Sequence, residues 1–128
     1  MNTARAQRTA SVLKNGNVLV TGGRTHQHDL LSSAEFYDPS TGTWTTAGSM
    51  NSQRVEHTAS VLTNGKVLVT GGHTHRYDLL SSVELYDPSA GTWTAAGSMN
   101  SQREKHTESV LTNGKALDTV GRPNVSVF

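Results

Sequence analysis

Cysteine is absent from the 128 residues. That excludes a disulfide frame, a thiolate zinc site and a thiol nucleophile. An excess of one charge is also lacking. There are 11 Lys+Arg against 10 Asp+Glu, a formal charge of +1, which argues against a nucleic-acid or membrane partner held by bulk charge. No apolar run approaches the ~20 residues a bilayer-crossing helix needs. The first ten residues are polar, with two arginines and no apolar stretch of the kind a secretory signal carries. The expectation is therefore a cytoplasmic chain with no nucleic-acid and no membrane partner. Proline is scarce, at 3. The length is one domain's worth, too short for a multidomain enzyme. What is abundant is Thr (17), Ser (14) and Gly (12), a mix that favours β-structure with many turns.

A repeat organises the chain. Gly22-Gly23 returns as Gly71-Gly72, Tyr37 as Tyr86, Trp44 as Trp93 and Met50 as Met99, always at a step of 49. Residues 5–50 aligned with 54–99 give 34 identities in 46 without a gap, so the two segments are a tandem duplication. A third copy opens at Arg103, with His106-Thr107 and Ser109 to Lys115, and then decays. Asp118 stands where Val69 would be, and Val120-Gly121 replaces the glycine doublet. The sequence divides into units at 5–50, 54–99 and a partial 103–121. A tail at 122–128 matches nothing upstream.

Punctuation within a unit predicts four strands. Thr58–Leu62 is a first short strand. Asn64-Gly65 follows between apolar flanks and predicts a two-residue type I′ hairpin, which needs positive φ at both positions. Lys66–Thr70 reads as a strand buried on both faces, ended by Gly71-Gly72. Ser82–Tyr86 alternates, Asp87-Pro88 opens a type I turn closed by Gly91, and Thr92–Ala95 is the fourth strand. Four short antiparallel strands in 49 residues make one propeller blade. No amphipathic helix is visible.

The Gly-Gly doublet, the Tyr-Asp-Pro, the Trp seven residues after the Tyr, and the Gly-Ser-Met followed by Arg resemble kelch repeats over residues 5–115. The resemblance implies an all-β fold of antiparallel four-stranded kelch propeller blades. The whole chain would be one incomplete propeller, two full blades plus a partial third. It gives Gly22, Gly23, Tyr37 and Trp44 structural roles in blade 1, and Gly71, Gly72, Tyr86 and Trp93 the same roles in blade 2. The doublets let backbone approach backbone and the aromatics fill the wedge between blades, with the two tryptophans as the main anchors.

Candidate chemistry is thin. Copper oxidases built on similar blades need a Tyr cross-linked to a Cys, which this chain lacks. Glu35, Glu84, Asp38 and Asp87 recur in each unit, as expected for turn and strand contacts. No Ser-His-Asp spacing stands out. Arg5, Arg54 and Arg103 recur before each first strand and are expected to bridge to a carboxylate. His57 and His106 occupy equivalent, structural positions. Loop histidines form two His-x-His pairs, His26/His28 and His73/His75, near Asp29 and Asp78. Such pairs suit Zn²⁺, Ni²⁺ or Cu²⁺, but a copied polar loop explains them without a metal, and no metal, cofactor or catalytic residue is assigned.

The same loops supply the interaction candidates: Arg24, His26, His28, His73, His75, Arg76 and Tyr77. Arg24, His73, Arg76 and Tyr77 differ between copies, and divergence inside a copied unit is where specificity can reside. The expected function is a non-catalytic protein–protein interaction module with a protein partner, with self-association through open blade edges. The frayed third unit supports a second reading, a truncated copy of a longer propeller with no independent function. A third is a carbohydrate- or metal-binding propeller fragment.

Overall fold

The computed structural model describes residues 1–74 and 78–99 in full, and the backbone alone of 107–110, 116–119 and 125–127. No helix occurs among the described residues, so none is long and apolar enough to cross a membrane. Blade 1 contains β1 (Thr9–Val12), β2 (Val18–Thr21), β3 (Ser33–Asp38) and β4 (Thr43–Ser49). Blade 2 contains β5 (Thr58–Val61), β6 (Val67–Thr70), β7 (Ser82–Asp87) and β8 (Thr92–Ser98). Each is a four-stranded antiparallel meander in sequence order.

The third sheet departs from expectation. β9 (Thr107–Val110) and β10 (Ala116–Thr119) pair in the register of β1 and β2, with Leu117 opposite Ser109 as Leu19 is opposite Ser11. The tail then returns as β11 (Val125–Val127) along β10. Residues with no upstream counterpart thus supply a third strand, and the β-branched Val125 and Val127 in it are of a residue type that favours strands.

The Asn-Gly hairpins form, but not as the two-residue type. Leu13 N–H donates to the Asn17 carbonyl at 2.8 Å, and Gly16 N–H to the Leu13 carbonyl at 2.9 Å. The loop is therefore three residues long. Only Gly16 (φ +88°) takes the left-handed region, and Asn15 does not. This is a type I turn closed by a glycine bulge, repeated at Leu62–Lys66 with Gly65. The Asn side chain decides the choice: Asn15 Oδ1 accepts from Asn17 N–H, and Asn64 Oδ1 from Lys66 N–H.

The outer strands run on to Ser49 and Ser98, beyond the expected length. A register shift lies opposite β3 between Ser33 and Glu35, and opposite β7 between Ser82 and Glu84. Gly48 (φ +72°) and Gly97 (φ +94°) absorb it.

One core lies between the blades: Leu19, Ala34, Ala47 and Met50 from blade 1 against Val67, Val69 and Tyr86 from blade 2. A second, smaller cluster of Leu68, Val83 and Met99 lies on the far flank of blade 2. β6 reads Val-Leu-Val-Thr and is buried throughout because alternate residues serve these two faces.

The tryptophans are not the main anchors. Tyr86 is 1% exposed, while Trp44 and Trp93 are half-buried. The Trp belongs to the outermost strand of each blade and the Tyr to an interior one. Tyr86 meets Phe36 of blade 1 edge-on at 5.6 Å between ring centroids, with Trp93 beside it at 4.9 Å. Trp93 does cross the gap by one bond, its Nε1–H donating to the Ala47 carbonyl at 3.0 Å.

Candidate functional site

The doublets fix where the loops leave each blade. A Cβ on Gly23 would lie 2.5 Å from the Ala6 carbonyl oxygen, and one on Gly72 2.5 Å from that of Val55. Only glycine permits that approach. Past each doublet the chain pairs with the lead-in to its own blade. Arg24 N–H donates to Ala6 O at 2.9 Å and Ala6 N–H to Arg24 O at 2.8 Å, while Arg24 also bridges Leu30. His73 does the same with Val55 and Leu79. The lead-in and the loop of each unit therefore share one rim.

On that rim the copied positions diverge. His26 and His28 are exposed. Their loop is held by Thr25 N–H to Asp29 O at 2.9 Å and His28 N–H to Thr25 O at 3.0 Å, with His28 left-handed at φ +69°. His73 is instead buried. Its Nδ1 lies 3.0 Å from Thr74 O and its Nε2 3.6 Å from Glu56 Oε2. By the step of 49, His73 corresponds to Arg24 and His26 to His75, so the two His-x-His pairs are offset by two residues rather than equivalent. His75, Arg76 and Tyr77 lie outside the described residues. Among the described residues no group of three or more His, Asp or Glu stands close enough to hold a metal.

The lead-ins contribute residues that the loop-centred reading missed. Gln7 Nε2–H donates to Glu56 Oε1 at 2.6 Å, across the blade boundary. Gln7 (φ +53°) and Glu56 (φ +55°) both hold the left-handed backbone that L-residues avoid, a strain of ~1–3 kcal/mol that only surrounding structure sustains. His57 Nε2 lies 2.9 Å from Thr9 Oγ1 and 3.0 Å from Thr21 Oγ1, joining blade 2 to blade 1. Its counterpart Arg8 is exposed and packs its Cβ where a Gly23 side chain would be. The guanidinium groups of Arg8 and Arg24 have no acidic partner among the described residues. Divergence between copies was the available signal, since 6–8 and 55–57 differ at all three positions.

The recurrent carboxylates are occupied elsewhere. Glu35 Oε2 accepts from Arg5 Nη2 at 2.8 Å and Oε1 from Asn2 N–H at 2.6 Å. Burial pushes the Glu35 carboxyl up, but the Asn2 and Thr3 amides and the Arg5 guanidinium outweigh it and hold the group below its ordinary value. Glu84 is bound alike by Arg54 and by the amides of Asn51 and Ser52. Asp38 accepts from Ser40 N–H and Oγ–H, and Asp87 from Ser89 in the same way. These bonds hold both aspartates below the usual carboxylate range. All four carboxylates close turns and connections.

Comparison with known proteins agrees with this geometry. The Kelch motif model matches residues 5–51 and again 55–100. No curated protein matches the chain.

Proposed function

Because the chain belongs to the kelch family, we propose that it is a non-catalytic module that binds a protein partner through the rim made by the post-doublet loops and the blade lead-ins, in a cytoplasmic setting. Kelch repeats are typically protein-interaction modules. The observation that carries the reading is the contrast between copies on one framework. At the blade-2 end the rim positions turn inward, His73 towards Glu56 and His57 towards the Thr9 and Thr21 hydroxyls. At the blade-1 end the equivalent positions are Arg8 and Arg24, without acidic partners among the described residues. Two arginines presented this way suit carboxylates of an extended acidic segment, since a guanidinium fork pairs with carboxylate bidentately. His26 and His28 follow Arg24 in the same loop, and His75, Arg76 and Tyr77 complete the candidate set by sequence.

The test is capture from the native source with immobilised wild-type chain and with the Arg8→Glu/Arg24→Glu double variant. The same protein retained by wild type and lost, at least tenfold, by the double variant supports the rim. Equal retention by both removes it.

A further inference from the structure

A cavity lies at the opposite end of β2 and β6 from the doublets. Three turns border it: the β1–β2 hairpin of blade 1, and the β5–β6 hairpin and β7–β8 turn of blade 2. Its volume is about 270 Å³, which suits a ligand smaller than a typical drug. It sits wholly between the two complete blades, within residues 13–89.

The lysines at this boundary are ones the duplication did not keep. Lys14 of blade 1 has Thr63 as its later copy, and Lys66 of blade 2 has Asn17 as its earlier one. Neither unit carries both, and the cavity takes one from each blade. Lys14 is held in place: its Nζ donates to the Thr63 carbonyl across the boundary, and its Cδ lies 3.6 Å from where a Gly65 Cβ would be. An ammonium has three donors, so more remain. Lys66 makes no ion pair among the described residues.

Asp87 supplies the opposite charge. Its Oδ1 accepts from Ser89 Oγ–H, Ser89 N–H and Ala90 N–H, while its Oδ2 has no hydrogen-bond partner among the described residues. The Ser89 bonds, the Ala90 amide and the nearby Lys66 ammonium outweigh desolvation and hold the carboxyl below its ordinary value. The cavity thus presents two positive charges and one negative.

We infer that this cavity binds a free acidic α-amino acid, its two carboxylates on Lys14 and Lys66 and its ammonium on Asp87 Oδ2. Each of the three charges then meets its opposite through a charge-assisted bond. A phosphate dianion would face Asp87 with like charge, and a plain dicarboxylate would leave Asp87 unmatched. This inference does not rest on the rim reading above, since Arg8, Arg24 and the post-doublet loops lie at the other end of the strands.

Calorimetric titration of the full chain with L-glutamate and L-aspartate tests it. The comparisons are glutarate and succinate, which lack the ammonium, L-glutamine and L-asparagine, which lack the second carboxylate, and inorganic phosphate. At least one acidic amino acid is expected to bind about tenfold more tightly than its own two analogues and than phosphate. Lys14→Gln and Lys66→Gln, each checked for retained far-UV circular dichroism, are expected to weaken it by about tenfold. Asp87→Asn keeps an oxygen for the Ser89 bonds. It is expected to weaken the amino acid while leaving the matching dicarboxylate bound no more weakly, a split that loss of folding does not produce. Should one lysine variant fail to fold, the other decides. Binding of neither acidic amino acid by wild type, equal binding of the dicarboxylate or of phosphate, or unchanged binding in a folded lysine variant each overturns the inference.

Discussion

Arg54 and Glu84 form an ion pair inside blade 2, Nη2 to Oε2 2.8 Å, with side chains 0% and 2% exposed. Arg54 also donates to the Gly71 and Ser82 carbonyls. Glu84 in turn accepts the Asn51 and Ser52 amides, on the connection arriving from blade 1. The pair therefore fastens the connection to the sheet. Removing one partner of a buried pair leaves the other charge uncompensated, at ~3–5 kcal/mol. Glu84→Ala is expected to lower the unfolding free energy by that amount, read as a fall in the urea midpoint at unchanged slope. Arg54→Met/Glu84→Leu is expected to recover part of it, because burying two apolar groups carries no charge penalty. A Glu84→Ala midpoint equal to wild type contradicts the assignment.

Acid sensitivity follows from Glu35. Its folded value lies below the ordinary 4.5. A carboxyl depressed on folding stabilises above its unfolded value, and that stabilisation drains as pH falls through the folded value. Stability is expected to be level above about pH 5 and to decline below it. In Glu35→Gln that component of the decline is absent. Urea midpoints from pH 7 down to 3 measure it, and parallel pH curves for the two proteins refute it.

Tyr86 and Tyr37 occupy equivalent places in the sequence but not in the structure. Tyr86→Ala is expected to cost ~3–5 kcal/mol, as for other large core truncations, and Tyr37→Ala well under half of that. Thermal melts of the two variants side by side decide it, and equal shifts count against the assignment of the core.

Gly72 combines φ +87° with a would-be Cβ 2.5 Å from the Val55 carbonyl oxygen, whereas Gly91 has φ +68° and open space around it. Gly72→Ala is expected to destabilise by clearly more than the ~1–2 kcal/mol that a left-handed backbone alone costs an L-residue, and Gly91→Ala by about that. A smaller loss at Gly72 than at Gly91 would falsify the close-approach argument.

The strand order was legible because the doublet, the Asp-Pro turn and the Asn-Gly turn each constrain backbone locally. The hairpin type was not, since Asn15 and Asn64 choose it through side-chain bonds two residues ahead. Burial of the aromatics was not legible either. Tyr37 and Tyr86 sit in nearly identical sequence, and only the neighbouring blade distinguishes them. β11 escaped because three residues carry too little pattern to mark a strand. The rim's Gln7–Glu56 and His57–Thr9 links join residues about one unit apart, a distance that no reading within a single unit spans.

Those separations also order assembly in time. The Arg5–Glu35 and Arg54–Glu84 pairs each close a span of 30 residues within their own blade, whereas side-chain bonds between the blades join residues 36 to 49 apart, as at His57–Thr21, Trp93–Ala47 and Gln7–Glu56. Closing a longer loop costs more entropy, and synthesis delivers the N-terminal unit first. Blade 1 can lock its own pair while β5 to β8 are still unmade. Each later unit then condenses onto a finished neighbour, so the chain grows as a template-directed stack rather than collapsing all at once.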